Sequence, residues 1–196
     1  MPGRHSGHDQ SNDTAMIRGP VVSLRPFRLD EVETFIALAN DSATRGDFMP
    51  TRLIEPQKMR NEFAEHGFMS ERFTRLAIVD VNDRLVGTIF HFMTRPYSSG
   101  REIGLRIFDP ATRGLGYGTA ALRLLVDNLF ANHPINRLEW TCDVRNRSSA
   151  AVAVKCGFAS EGVVRGLVFQ NGTYHDAEIY GLVRADWMAA PTGGRP

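Results

Sequence analysis

Arg113-Gly114-Leu115-Gly116-Tyr117-Gly118-Thr119 stands between a β-rich run at residues 101–108 and a segment in which Leu122, Leu125, Val126 and Leu129 follow i, i+3, i+4, i+7 spacing. That spacing predicts an amphipathic helix over about 117–131, opened by the glycines. Glycines at a strand-to-helix junction turn the chain tightly. They can also aim several unpaired backbone N–H groups at one point, where the helix dipole is positive. Such a loop is an anion cradle or simply a tight turn, and the heptapeptide alone leaves both readings open. It is not a Walker A loop, because the closing Lys-Ser/Thr is absent, and Gly114, Gly116 and Gly118 do not fit G-x-G-x-x-G. A nucleotide triphosphatase is thereby disfavoured.

Upstream, Val21-Val22-Ser23-Leu24-Arg25 reads as a first strand, and Asp30 with Glu33 has capping-box-like spacing at the start of a helix over about 30–39. Pro56 and Gly67 bracket a second helix, about 56–66. Leu76–Val79 and Leu85–Phe90 are β-rich runs joined by the polar Asn82-Asp83, a hairpin signal, and residues 101–108 form a fourth strand. Downstream come a strand at Leu138–Asp143 and a short helix over about 148–156. Val163 to Tyr180 then reads as two strands meeting at Asn171-Gly172, a strong hairpin signal. Strands before, between and after helices predict an α/β (α+β) domain with a mostly antiparallel sheet and one parallel step across the 117–131 helix.

The chain has 196 residues, of which 42% are hydrophobic, enough for one domain with a real core. Residues 1–16 are polar and aperiodic, and 190–196 are rich in Gly and Pro, so both ends read as disordered tails around a folded unit of about 17–189. His5 and His8 lack a third ligand at useful spacing, and no metal is expected. The net charge of +1 gives no bulk reason to bind nucleic acid or an anionic membrane, and no apolar run reaches the ~18–20 residues of a span. Cys142 and Cys156 read as core thiols, which fits a reducing, cytoplasmic setting.

Arg113-x-x-Gly116-x-Gly118 at a helix start after the fourth strand resembles the signature of the GNAT superfamily of acyl-CoA-dependent N-acyltransferases. Asn146-Arg-x-Ser149 followed by Lys155-Cys156-Gly157-Phe158, and the ending Gly172-x-x-x-Asp176-x-x-x-Tyr180-x-Leu182, resemble its RimJ/RimL-like branch of ribosomal-protein N-terminal acetyltransferases. These motifs span about 100–183 in the expected order. The resemblance implies a twisted mixed sheet whose fourth and fifth strands splay apart, with acetyl-CoA as co-substrate entering the gap. Its pyrophosphate would rest on Arg113, Gly114, Leu115, Gly116, Tyr117, Gly118 and Thr119. Asn146 would lie beside the CoA arm, with Ser149 near the thioester; a helix cap and a first-turn residue are the structural readings of the two.

Acylation of an amine needs a neutral nucleophile, a polarised carbonyl and a proton for the departing thiolate. The resemblance points to Glu102 as general base, against its reading as a solvent-facing strand glutamate; His91 and His175 are the alternatives. Backbone N–H near Ile107 or Phe108 would hold the oxyanion. Tyr180 and Ser149 compete for general acid, and no histidine is placed by sequence to make Cys142 or Cys156 a nucleophile. The acceptor walls of the branch correspond to Asp47-Phe48-Met49-Pro50 and to Phe169–Asp176 with His175, and the loop carrying Tyr97 adds another. The expected partners are an acyl-CoA and an amine acceptor, a peptide N-terminus or a small molecule. A homodimer also falls within what the branch implies. The competing reading is a CoA-binding module that has lost transfer or changed its donor.

Overall fold

The structure is a computed structural model that describes residues 16–49, 51–95 and 98–190. The expected tails, apart from Met16 and Ala190, lie outside the described residues, as do Pro50, Pro96 and Tyr97. Seven strands form one sheet: β1 (Ser23–Arg25), β2 (Phe73–Val79), β3 (Leu85–Met93), β4 (Arg101–Ile107), β5 (Arg137–Asp143), β6 (Ala159–Gln170) and β7 (Thr173–Val183). Their order is β1-β2-β3-β4-β5-β7-β6, and every pairing is antiparallel except β4 with β5. Parallel neighbours need a long crossover, here supplied by the helix α4 (Tyr117–Asn132).

The remaining helices are α1 (Val32–Asn40), α2 (Ser42–Arg45), α3 (Pro56–His66), α5 (Arg147–Lys155) and α6 (Arg184–Ala189). Both α2 and α6 were illegible as periodicity, since four and six residues give no full amphipathic stripe. The β6–β7 hairpin turns at Asn171 (φ 50°) and Gly172 (φ 79°), the pair of left-handed residues that a two-residue loop demands.

Two cores flank the sheet. On one face Leu122, Leu125, Val126 and Leu129 of α4, the periodic residues, pack on Ile78, Ile89, Ile103 and Ile107. On the other, Phe35 of α1 and Met59 of α3 join Phe27, Phe68 and Phe108. Arg25 is 0% exposed and holds Glu31 bidentately (2.8 and 2.7 Å) and Asp83 (2.9 Å), tying β1 to α1 and to the β2–β3 turn. Burial opposes ionisation of Glu31, but hydrogen bonds from the Arg25 guanidinium and the Arg28 amide outweigh it and keep the carboxyl below its ordinary value. Arg25→Met is expected to cost about 3–5 kcal/mol in urea unfolding at neutral pH, because a half-buried carboxylate loses its partner. A depressed carboxyl contributes stability above its unfolded pKa and loses it as pH falls through the folded value, so the deficit should shrink in acid.

Candidate active site

Strand β4 pairs with β5 only at Arg101↔Leu138 and Glu102↔Glu139. Beyond these two residues β4 keeps β3 as its one neighbour up to Ile107, and β5 keeps β7 up to Asp143. A wedge therefore opens between the strands, with facing edges whose backbone groups are available to a third extended chain. Alternation settles which β4 amides face it. Phe108 N–H donates to the Val86 carbonyl at 3.0 Å, toward β3, so Ile107 N–H points the other way, into the wedge. Of the two amides expected near an oxyanion, that of Phe108 is spent on β3 and that of Ile107 faces the wedge; the Phe108 side chain packs in the second core.

At the wide end of the wedge lies the glycine loop. Gly114 (φ 82°) and Gly116 (φ 91°) adopt left-handed conformations, and nothing lies within 4 Å of a Cβ built at either. Gly116 is the N-cap of α4, and no side chain caps the helix, so the amides of Tyr117, Gly118 and Thr119 have no acceptor within it. The loop thus offers unpaired amide donors beside open space at a positive dipole end, a setting that suits a diphosphate. Arg113 does not reach into it. Its guanidinium bonds the carbonyls of Ile107 (3.2 Å), Phe108 (3.4 Å) and Thr44, which fastens the loop to the end of β4 and to α2. Leu115 projects outward, and Tyr117 packs against the first core.

Glu102 sits at the vertex of the wedge, on the face opposite α4. Phe92 is its cross-strand neighbour, and Phe90 covers Gly104 so closely that a Cβ there would meet the ring at 2.5 Å. Phe73 stacks on Phe90, and the Arg75 guanidinium lies 4.9–5.1 Å from the rings of Phe35, Phe73 and Phe90. Burial in this aromatic setting raises the Glu102 carboxyl pKa; a hydrogen bond with Thr141 opposes the rise, and the charge of Glu139 adds to it. Glu139 moves the other way. Burial resists its ionisation, but hydrogen bonds from Arg137 (2.8 Å) and Arg95 (2.9 Å) hold its carboxyl below the usual value. The two adjacent carboxyls are pushed in opposite directions, Glu139 down and Glu102 up. Glu139, Thr141, Phe90 and Phe92 were missed in the sequence. Period-2 alternation puts 139 and 141 on one face of β5, but only the β4–β5 register brings them to Glu102.

On the α4 and α5 side of β5, Ser149 Oγ accepts from Trp140 Nε1 at 3.0 Å and also meets the thiol of Cys142. Asn146 is the N-cap of α5, accepting from Ser149 N at 3.1 Å and from Ser148 Oγ at 2.9 Å. Tyr180 is buried, and its hydroxyl donates to Glu178 at 2.7 Å. Burial and then Glu178 push its pKa up to about 12. His91 pairs with Ile103, on the face of β4 away from Glu102, so it is removed as an alternative base.

The two expected acceptor walls meet. Gln170 Nε2 donates to the carbonyls of Asp47 and Met49, the latter at 3.2 Å, which docks the loop after α2 on the last hairpin. Asp47, Phe48, Arg145, Gln170 and His175 line a cavity of about 450 Å³ there. Arg145 lies 5.7 Å from the Phe48 ring and bonds Asp143 at the end of β5, holding that carboxyl down to about 2.

A mixed sheet opened between β4 and β5, with a glycine-rich loop at the start of the crossover helix, has the layout of an acyltransferase fold. The family model described as "Acetyltransferase (GNAT) domain" matches residues 22–159, and the chain belongs to that family of acetyltransferase enzymes. The chain is 29% identical over 181 residues to the probable N-acetyltransferase YjcK of Bacillus subtilis, covering 87% of this chain and 98% of that one. It is 27% identical over 111 residues to the ribosomal-protein-serine acetyltransferase of Escherichia coli, covering 57% of this chain and 62% of that one. Among solved structures, spermidine N-acetyltransferase from Vibrio cholerae in complex with CoA and spermine superposes with a TM-score of 0.76 at 16% identity, over 87% of this chain and 99% of that one.

Proposed function

We propose that the protein moves an acetyl group from acetyl-CoA to a primary amine by direct attack in a ternary complex. The observation that carries this reading is the β4–β5 wedge, which offers an open amide loop at one end and the raised carboxyl of Glu102 at the other. Acetyl-CoA supplies an activated thioester, its diphosphate on the amides of Gly116, Tyr117 and Gly118 and its arm along the β4 edge. Glu102 takes the proton of the incoming ammonium, directly or through a water, and Ile107 N–H faces the charge that develops on the carbonyl oxygen. Ser149 is placed to offer a hydrogen bond to the departing thiolate, as it does to the Cys142 sulfur, while the proton that makes CoA a thiol comes from solvent.

The acceptor enters between the loop at Asp47–Met49 and the β6–β7 hairpin, past Phe48 and His175. A protein N-terminus and a compact organic amine both present the primary amine that this reading requires. Both cysteines are free thiols, which supports a reducing, cytoplasmic setting. A mass-spectrometric screen of acyl donors against N-terminal peptides and small amines tests the proposal. Acetyl transfer with release of the CoA thiol is the expected result. Absence of transfer across the panel, with CoA still raising the melting temperature, would establish a binding module instead.

A further inference from the structure

A second cavity, about 590 Å³, lies at the other end of the sheet, between the start of β4 and the C-terminal half of α4. Its walls are apolar along Leu76, Leu125 and Leu129. Its polar end is basic: Arg101, His91 and His133 face it, and Glu71 is the carboxylate among its described lining residues. Arg101 Nε and Nη1 are buried without a hydrogen-bond partner among the described residues, and Nη2 reaches only the Glu71 carbonyl, at 3.4 Å. His91 Nδ1 is buried and unpartnered as well. Arg25 also borders the cavity, but Glu31 and Asp83 already neutralise it.

Arg101 is partly buried, and two of its guanidinium nitrogens are shut off from water with no acceptor among the described residues, so an anion in the cavity would satisfy donors that the fold leaves open. The local field is positive enough that burial, followed by the charges of Arg101 and His133, lowers the His91 pKa to about 4. His91 is therefore neutral near pH 7 and can accept or donate a hydrogen bond without adding charge. The opening is lined by the polar Ser70 and Ser99, the latter exposed. A volume of this order suits a small organic ligand.

We propose that this cavity is a second ligand site, outside the acetyl-transfer wedge, for a small amphipathic carboxylate whose head pairs with Arg101 and whose apolar body lies along α4. The site shares β4 with the wedge, yet it lies on the α4 face and Glu102 lies on the other, so it does not depend on the proposed transfer reaction.

Calorimetry of the full chain with octanoate, with CoA saturating so that the wedge is filled, tests the site. Saturable 1:1 binding is expected, with 1-octanol about tenfold weaker or worse because it lacks the charge that Arg101 would pair. Arg101→Met should weaken octanoate about tenfold or more while circular dichroism stays native, since it removes the donors that the carboxylate would meet. Ser99→Glu, at an exposed rim position, should compete for Arg101 and weaken octanoate comparably. Absent saturation, displacement of octanoate by CoA, or undiminished affinity in either variant would overturn the proposal.

Discussion

Gly116→Trp is expected to abolish acyl-CoA binding while leaving the fold standing. Gly116 has φ 91°, and no atom lies within 4 Å of a Cβ placed there, so the indole would project into open space rather than into a core. The left-handed conformation costs a non-glycine residue roughly 1–2 kcal/mol, which a domain of ordinary stability survives. The same indole would occupy the open space beside the amides of Tyr117 and Gly118, where the diphosphate is proposed to sit. Each charge-assisted hydrogen bond is worth about 1.5–3 kcal/mol, so losing two weakens binding about 100-fold or more. Calorimetry with CoA on a variant of native circular dichroism checks this, and affinity within a few-fold of wild type would remove the loop from the site.

Glu102→Gln should lower turnover about 10²–10⁴-fold and leave CoA affinity near normal, because it deletes a proton acceptor at the vertex without touching the amide loop. The pH behaviour is specific. Burial raises the Glu102 carboxyl, so the active ionised base is lost as pH falls through that raised value, giving kcat/KM an acidic limb that the glutamine variant lacks. Stability should respond in the opposite sense. A carboxyl raised in the folded state contributes stability below its unfolded pKa and loses it as pH rises through the folded one. Ionised Glu102 therefore weakens the fold at neutral pH, and Glu102→Gln should melt at or above wild type there. An unaltered rate and an unaltered profile would take Glu102 out of the base role.

The fold was legible wherever one element carried its own signal. The Leu122–Leu129 stripe gave α4 to within a residue, Pro56 and Gly67 gave both ends of α3, and Asn171-Gly172 gave the last hairpin. The parallel step followed from a helix lying between two strands. The site was legible only in part, because its chemistry depends on which strands become neighbours. Glu102 could be named from its strand, whereas the partners that tune it, Glu139 and Thr141, lie on β5 and reach it through a two-residue register that no local pattern encodes. The same reason explains Arg113. Its motif position was plain, but its turn onto the carbonyls of Thr44, Ile107 and Phe108 depends on α2, a single turn without periodicity. The choice between the Ile107 and Phe108 amides was open in the sequence because strand alternation relative to β3, not residue type, decides which amides face the wedge.

Backbone amide chemical shifts followed while CoA is titrated into the protein test the central claim most directly. Saturable shifts at Gly114, Gly116, Tyr117, Gly118 and Thr119, joined by Leu105 and Ile107 along β4, are the predicted result. Saturation of CoA binding that leaves those amides unmoved and perturbs another surface would contradict it.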